Sequence, residues 1–165
     1  SIGGVLAFEL ARQLEALDQE VAQLVVIDAW LPGSVSTEQI PDEDAWHAVA
    51  QDFADAGSVL EPAEIARRLH VGAALGAGWQ AYELPGPIQA PILLLRATRP
   101  RGFANITDAS VQALMASSRD YGWGPLSRAG TRVQEIPGDH FTMMAQEGLG
   151  DLAEAIRAAV SEAIS

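Results

Sequence analysis

Leu6, Leu10, Leu14 and Leu17, joined by Ala7 and Ala11, recur with the period of a helix. The pattern predicts a helix that begins almost at the first residue. Gly3 and Gly4 fall in its first turn, where Gly costs about 1 kcal/mol relative to Ala. Close approach to a neighbouring backbone would justify them. Val21 to Ile27 ends in the continuous apolar run Leu24-Val25-Val26-Ile27, the signature of a strand buried on both faces. Asp28 stands at its carboxyl end. Leu31-Pro32-Gly33-Ser34 reads as a loop. Pro41 to Tyr82 carries helical patterns, from Ala45 to Ala54 and from Pro62 to Leu75, broken near Gly57-Ser58 and closed by Pro85-Gly86-Pro87.

Pro91 to Ala97 is the second buried strand. A loop from Thr98 to Asn105 leads to a helix from Thr107 to Ser118, with Thr107 as its N-cap. Tyr121-Gly122-Trp123-Gly124-Pro125 is a turn. Thr131 to Ile136 is a third strand, and Pro137-Gly138-Asp139-His140 its exit loop. Leu149 to Ile164 is a terminal amphipathic helix. Strands separated by helices give an α/β class with a mostly parallel sheet. In such sheets, sites are built at the carboxyl edge of the strands.

Composition narrows the chemistry. The 165 residues suffice for one domain with a core. Ten basic residues, all Arg, against 22 Asp and Glu give a net charge of −12, which argues against a nucleic-acid partner. The absence of Lys is read as codon bias. The absence of Cys removes disulfides, thiolate zinc sites and a Cys nucleophile. No apolar run reaches the 18 or so residues that span a bilayer. No membrane partner is expected, and a cytoplasmic location is the default. The three His lack paired metal-ligand spacing, so no metal site is expected.

Ser1, Asp28 and His140 occur in the chain order of the α/β-hydrolase triad. A serine hydroxyl needs a base to take its proton. Histidine suits that role, and a carboxylate fixes its tautomer. A G-x-S-x-G elbow also accounts for glycine two residues after the serine. Gly3 takes that position here, and the first Gly would lie upstream. The backbone N–H of Ile2 is the expected oxyanion donor at the helix start. Asp108 is a rival acid, Asp139 a loop-stabilising carboxylate, and His47 and His70 rival bases. An N-terminal nucleophile that uses its own amine is a further alternative, though such residues usually precede a strand rather than a helix. Trp30, Trp79 and Tyr82, with Phe53, are candidates for an acyl pocket. Arg67-Arg68 is read as a solvated face.

Ser1-Ile2-Gly3-Gly4-Val5-Leu6-Ala7-Phe8-Glu9-Leu10-Ala11-Arg12-Gln13-Leu14-Glu15 resembles the nucleophile-elbow helix of type I thioesterase domains. These are the chain-terminating domains of nonribosomal peptide and polyketide synthases. Val25-Val26-Ile27-Asp28 resembles their triad-acid strand, and Trp123 through Met144, especially Gly138-Asp139-His140-Phe141-Thr142-Met143-Met144, their histidine loop. The resemblance implies an α/β-hydrolase fold with a helical lid insert at about residues 33–88. It implies no bound cofactor: the acyl or peptidyl chain arrives on the 4'-phosphopantetheine of a carrier protein, in cis in the parent synthase. Release by water or by an internal nucleophile gives an acid or a macrocycle. Alternatives are a stand-alone editing thioesterase, an esterase of the same fold, or a non-catalytic fragment. The chain, 1–165, is expected to be the C-terminal portion of one such domain, cut immediately upstream of Ser1 and inactive by itself.

Overall fold

The computed structural model describes residues 1–35, 62–102, 106–145 and 147–164. The apolar run after Gln23 forms β1 (Leu24–Ile27), shorter than the Val21 to Ile27 expected from sequence. It pairs in parallel with β2 (Ile92–Ala97), Leu24 opposite Ile92 and Ile27 opposite Leu95. β2 pairs in parallel with β3 (Thr131–Ile136), Ile92 opposite Thr131 and Ala97 opposite Ile136. The described sheet is open, with strand order β1-β2-β3. β2 is buried at every position, as a central strand covered on both faces must be.

The described residues form four α-helices, α1 (Gly3–Ala16), α2 (Pro62–Ala81), α3 (Asp108–Ser117) and α4 (Leu149–Ala163), of which α1, α3 and α4 pack on the sheet. Side chains alternate across a strand, and β2 divides its residues accordingly. Ile92 and Leu94 join Val5, Phe8 and Ala11 of α1 and Val111 and Leu114 of α3 in one core. Leu93, Leu95 and Ala97 join Leu152, Ala155 and Ala159 of α4 in the other. The same alternation sends Arg96 to the α3 face. Thr107 caps α3 as expected, its side chain accepting from the Ser110 N–H at 3.2 Å.

The buried face of α1 is Val5, Phe8 and Ala11, while Leu6, Leu10, Leu14 and Leu17 are exposed. The helical period was legible; the helix carries two apolar faces, and period alone does not say which one meets the sheet. The two glycines also divide. A Cβ at Gly4 would lie 2.6 Å from the Ala29 Cβ and 2.9 Å from Val26 Cγ1, so Gly4 lets α1 lie against the end of β1. A Cβ at Gly3 would meet nothing within 4 Å among the described residues. The close approach therefore belongs to Gly4 alone, and it is to side chains rather than backbone.

Of the helical insert, α2 and its exit are described. His47 and Phe53 lie outside the described residues. His70 falls on α2.

Candidate active site

The site begins where β1 ends. The Asp28 N–H makes the last ladder bond, to the Leu95 carbonyl at 2.8 Å. Asp28 then turns into the left-handed region at φ 39°, a conformation Asp tolerates better than most side chains. The turn leaves its carboxylate buried at the carboxyl edge of the sheet, 2% exposed. His140, 4% exposed, comes from the loop after β3. Its Nδ1 lies 2.8 Å from Asp28 Oδ2. An ionised carboxylate can only accept, so Nδ1 carries the proton and Nε2 is the basic nitrogen. The other carboxylate oxygen, Oδ1, accepts the Ala97 N–H at 2.9 Å and faces the Tyr121 hydroxyl at 3.4 Å.

The loop that carries His140 is built to hold it. Gly138 adopts φ 111°, and a Cβ there would lie 2.7 Å from the Met143 nitrogen. Asp139 Oδ1 accepts the N–H groups of Phe141 and Thr142 at 3.0 and 3.1 Å, and Thr142 Oγ1 accepts the Asp139 N–H at 2.9 Å. Burial works to raise the Asp139 carboxyl, but the donors from Thr142 and Phe141 and the Arg99 charge outweigh it and hold it below the usual range. Arg99 also pairs with Glu147 at 2.6 Å, tying the end of β2 to the far side of the loop. Asp139 is thus the loop's brace, and Asp28 is the carboxylate on His140. Asp108 accepts the Gly102 N–H at 2.7 Å and serves its own loop.

Ser1 is exposed and directly precedes the start of α1. Its nitrogen donates to the Ile27 carbonyl at 2.6 Å, one residue before Asp28. Its carbonyl accepts the Gly4 N–H at 2.8 Å. Ser1 and Asp28 therefore share the carboxyl end of β1. Ile2 is the N-cap residue of α1 with helical φ and ψ. Its N–H is among the first donors of a helix, which no carbonyl of that helix can take.

Two of the three aromatic candidates, Trp79 and Trp30, lead from the insert to the histidine, and Tyr82 reaches α1. The Tyr82 hydroxyl donates to Glu9 of α1 at 2.7 Å. Trp79 Nε1 donates to the Trp30 carbonyl at 3.3 Å. The Trp30 ring, buried, packs against His140 with centroids 5.1 Å apart. Hydrogen bonds from Arg12 and Gln13 on α1, and from Tyr82, hold Glu9 down at about 2. Arg67 pairs with Glu64 on the exposed face of α2.

Sequence reasoning missed three residues around the acid: Arg96, Tyr121 and Trp123. Trp123 Nε1 donates to the Ala29 carbonyl at 2.8 Å, and its ring meets Phe8 edge-on at 5.8 Å, so it clamps α1 to the Asp28 loop. Arg96 carried a signal, a charge inside an otherwise apolar strand. Tyr121 lay in a segment read as a turn, and Trp123 opened the stretch that resembles a histidine loop without a role of its own.

A parallel sheet between helical layers, with an acid after one strand and a histidine after a later one, defines the α/β-hydrolase fold. A family model for the thioesterase domain matches residues 1–160, and the chain belongs to that family. Among solved structures it is similar to the NocB thioesterase domain from the nocardicin cluster, seen in covalent complex with a fluorophosphonate nocardicin G analog. That match has 25% identity and a TM-score of 0.65, over 97% of this chain and 63% of that one. The thioesterase domain SrfTE, which cyclises the lipopeptide antibiotic surfactin, matches at 18% identity and TM-score 0.64, over 94% and 64%. Human thioesterase 2 matches at 16% identity and TM-score 0.62, over 99% and 71%. The chain spans slightly under two thirds of the length of the first two. Among the described residues no group of three or more side chains is arranged to hold a metal, and no helix is long and apolar enough to cross a membrane.

Proposed function

We propose that this chain carries the acyl-transfer centre of a chain-releasing thioesterase, with Ser1 as nucleophile, His140 as general base and Asp28 as the orienting carboxylate. The observation that carries this reading is the buried His140–Asp28 pair at 2.8 Å, on the same strand end to which Ser1 is bonded. His140 Nε2 takes the Ser1 proton as Oγ attacks the thioester carbonyl. The new C–O bond forms, and the carbonyl electron pair moves onto the oxygen, facing the Ile2 N–H. When the C–S bond breaks, the imidazolium returns its proton to the phosphopantetheine thiol. A water or an internal hydroxyl or amine, deprotonated by His140, then attacks the ester carbonyl, the acyl C–Oγ bond breaks, and the imidazolium returns the proton to Ser1 Oγ.

The partner is an acyl or peptidyl carrier protein, presented in cis. In support, the chain also matches 13% of a four-domain nonribosomal peptide synthetase at 24% identity and TM-score 0.65, where this fold is one part of a multidomain chain. The similarity to SrfTE supports cyclisation as one release route. Such a partner belongs with a cytoplasmic synthase.

The test is turnover of an acyl chain on a carrier protein compared with a free ester of the same acid. Preference for the carrier-bound chain is expected. Equal rates would favour an esterase. His140→Ala tests the base: activity that survived it would remove His140 from the mechanism.

A further inference from the structure

Arg96 is the one charged side chain of β2, and it is buried, 8% exposed. A buried charge is costly unless its donors are met. Two of them are: Nη1 donates to the Arg119 carbonyl at 2.9 Å and Nη2 to the Met115 carbonyl at 3.1 Å. Among the described residues no carboxylate pairs with it. Its guanidinium carbon lies 5.2 Å from the centroid of the Tyr121 ring, within cation–π range. Tyr121 is 1% exposed and held at φ 53°, unusual for so bulky a residue. Its hydroxyl points at Asp28 Oδ1 from 3.4 Å.

We infer that Tyr121 is a positioning residue for the triad acid, with Arg96 as its backing charge. The inference rests on the Ser1–His140–Asp28 reading and extends it one layer outward. A carboxylate on a strand end can rotate about its Cβ–Cγ bond. The Ala97 N–H fixes Oδ1 from one side, and the Tyr121 hydroxyl closes the other. Oδ2 is then left to His140. At 3.4 Å the hydroxyl contact is longer than an ordinary O–H···O bond, so its contribution is orientation and local potential rather than a short charge-assisted bond. Arg96 places a positive charge behind the ring. Alternation along β2 puts it there, on the same face as Ile92 and Leu94.

The test is Tyr121→Phe in the full-length enzyme, which keeps the ring on which Arg96 stacks. The expected result is a five- to tenfold loss of kcat, about the effect of one net hydrogen bond. KM should stay unchanged, and the His140 Nδ1–H proton resonance should shift. Arg96→Met should move that resonance in the same sense. An unchanged kcat and resonance in Tyr121→Phe would overturn the inference, as would a fall in melting temperature alone. The resonance requires no turnover. It therefore judges the positioning role even if Ser1→Ala were to show that the nucleophile lies elsewhere.

Discussion

At the scale of single residues, Asp28 is held from several sides. It is buried and left-handed, bonded through Oδ2 to His140 and through Oδ1 to the Ala97 N–H, with the Tyr121 hydroxyl 3.4 Å from Oδ1. Asp28→Asn keeps the shape but loses the charge that supports an imidazolium, and it can invert the His140 tautomer. In the full-length enzyme kcat should fall on the order of 10⁴-fold, the effect seen when a serine-protease triad acid is so changed. A loss below tenfold in stopped-flow acylation would remove Asp28 from the mechanism. Gly4 gives a second residue-scale test. Gly4→Ala places a methyl 2.6 Å from the Ala29 Cβ and should destabilise by about 1–3 kcal/mol, the usual cost of overpacking. Gly3→Ala, with no neighbour within 4 Å among the described residues, should be tolerated in denaturant melts. Sequence reading could name Ser1, Asp28 and His140 as candidates because their order, and the places of Asp28 and His140 after strands, are one-dimensional facts. It did not find Tyr121, because a side chain that reaches an acid 93 residues away leaves no local period.

At the scale of elements, the insert is tied to the site at two points. Trp79 reaches the carbonyl of Trp30, whose ring packs on His140, and Tyr82 reaches Glu9 on α1. Trp79→Phe removes the first bond without emptying the space. Faster hydrogen exchange over α2 is expected, with α4 unaffected; uniform exchange across both helices would argue against a local tether. The histidine loop carries a pH dependence of definite sign. The Asp139 carboxyl is held below its ordinary value, so its contribution is present above that value and is lost as pH falls through the depressed one. Glu9, held at about 2, behaves the same way. Trp fluorescence should therefore report loosening of loop and insert only on acidification below the ordinary carboxylate range. Asp139→Asn should show loop loosening already at neutral pH. The helices themselves were legible from period and caps. The face α1 turns to the sheet was not, because Leu6, Leu10, Leu14 and Leu17 form as good a stripe as Val5, Phe8 and Ala11.

At the scale of the whole molecule, that second stripe has a consequence. Leu6, Leu10 and Leu17 are each more than half exposed and lie on one side of α1, a contiguous apolar surface of the kind soluble proteins cover. The protein should self-associate through this surface, and a Leu6→Glu, Leu10→Glu pair should lower its sedimentation coefficient. A monodisperse monomer before substitution would contradict this. The α/β class and parallel sheet were readable because buried strands and helices differ in length and period. Pairing register was not readable, since a continuous apolar run such as Ile92 to Leu95 offers no alternation to fix it.

The central claim is that Ser1 is the acylated residue, activated by His140. A fluorophosphonate probe followed by peptide mass spectrometry reads this directly on the full-length enzyme. The account predicts a phosphonyl adduct on Ser1, absent in Ser1→Ala and strongly slowed in His140→Ala. An adduct on another residue, or labelling of Ser1 at an undiminished rate without His140, would contradict it.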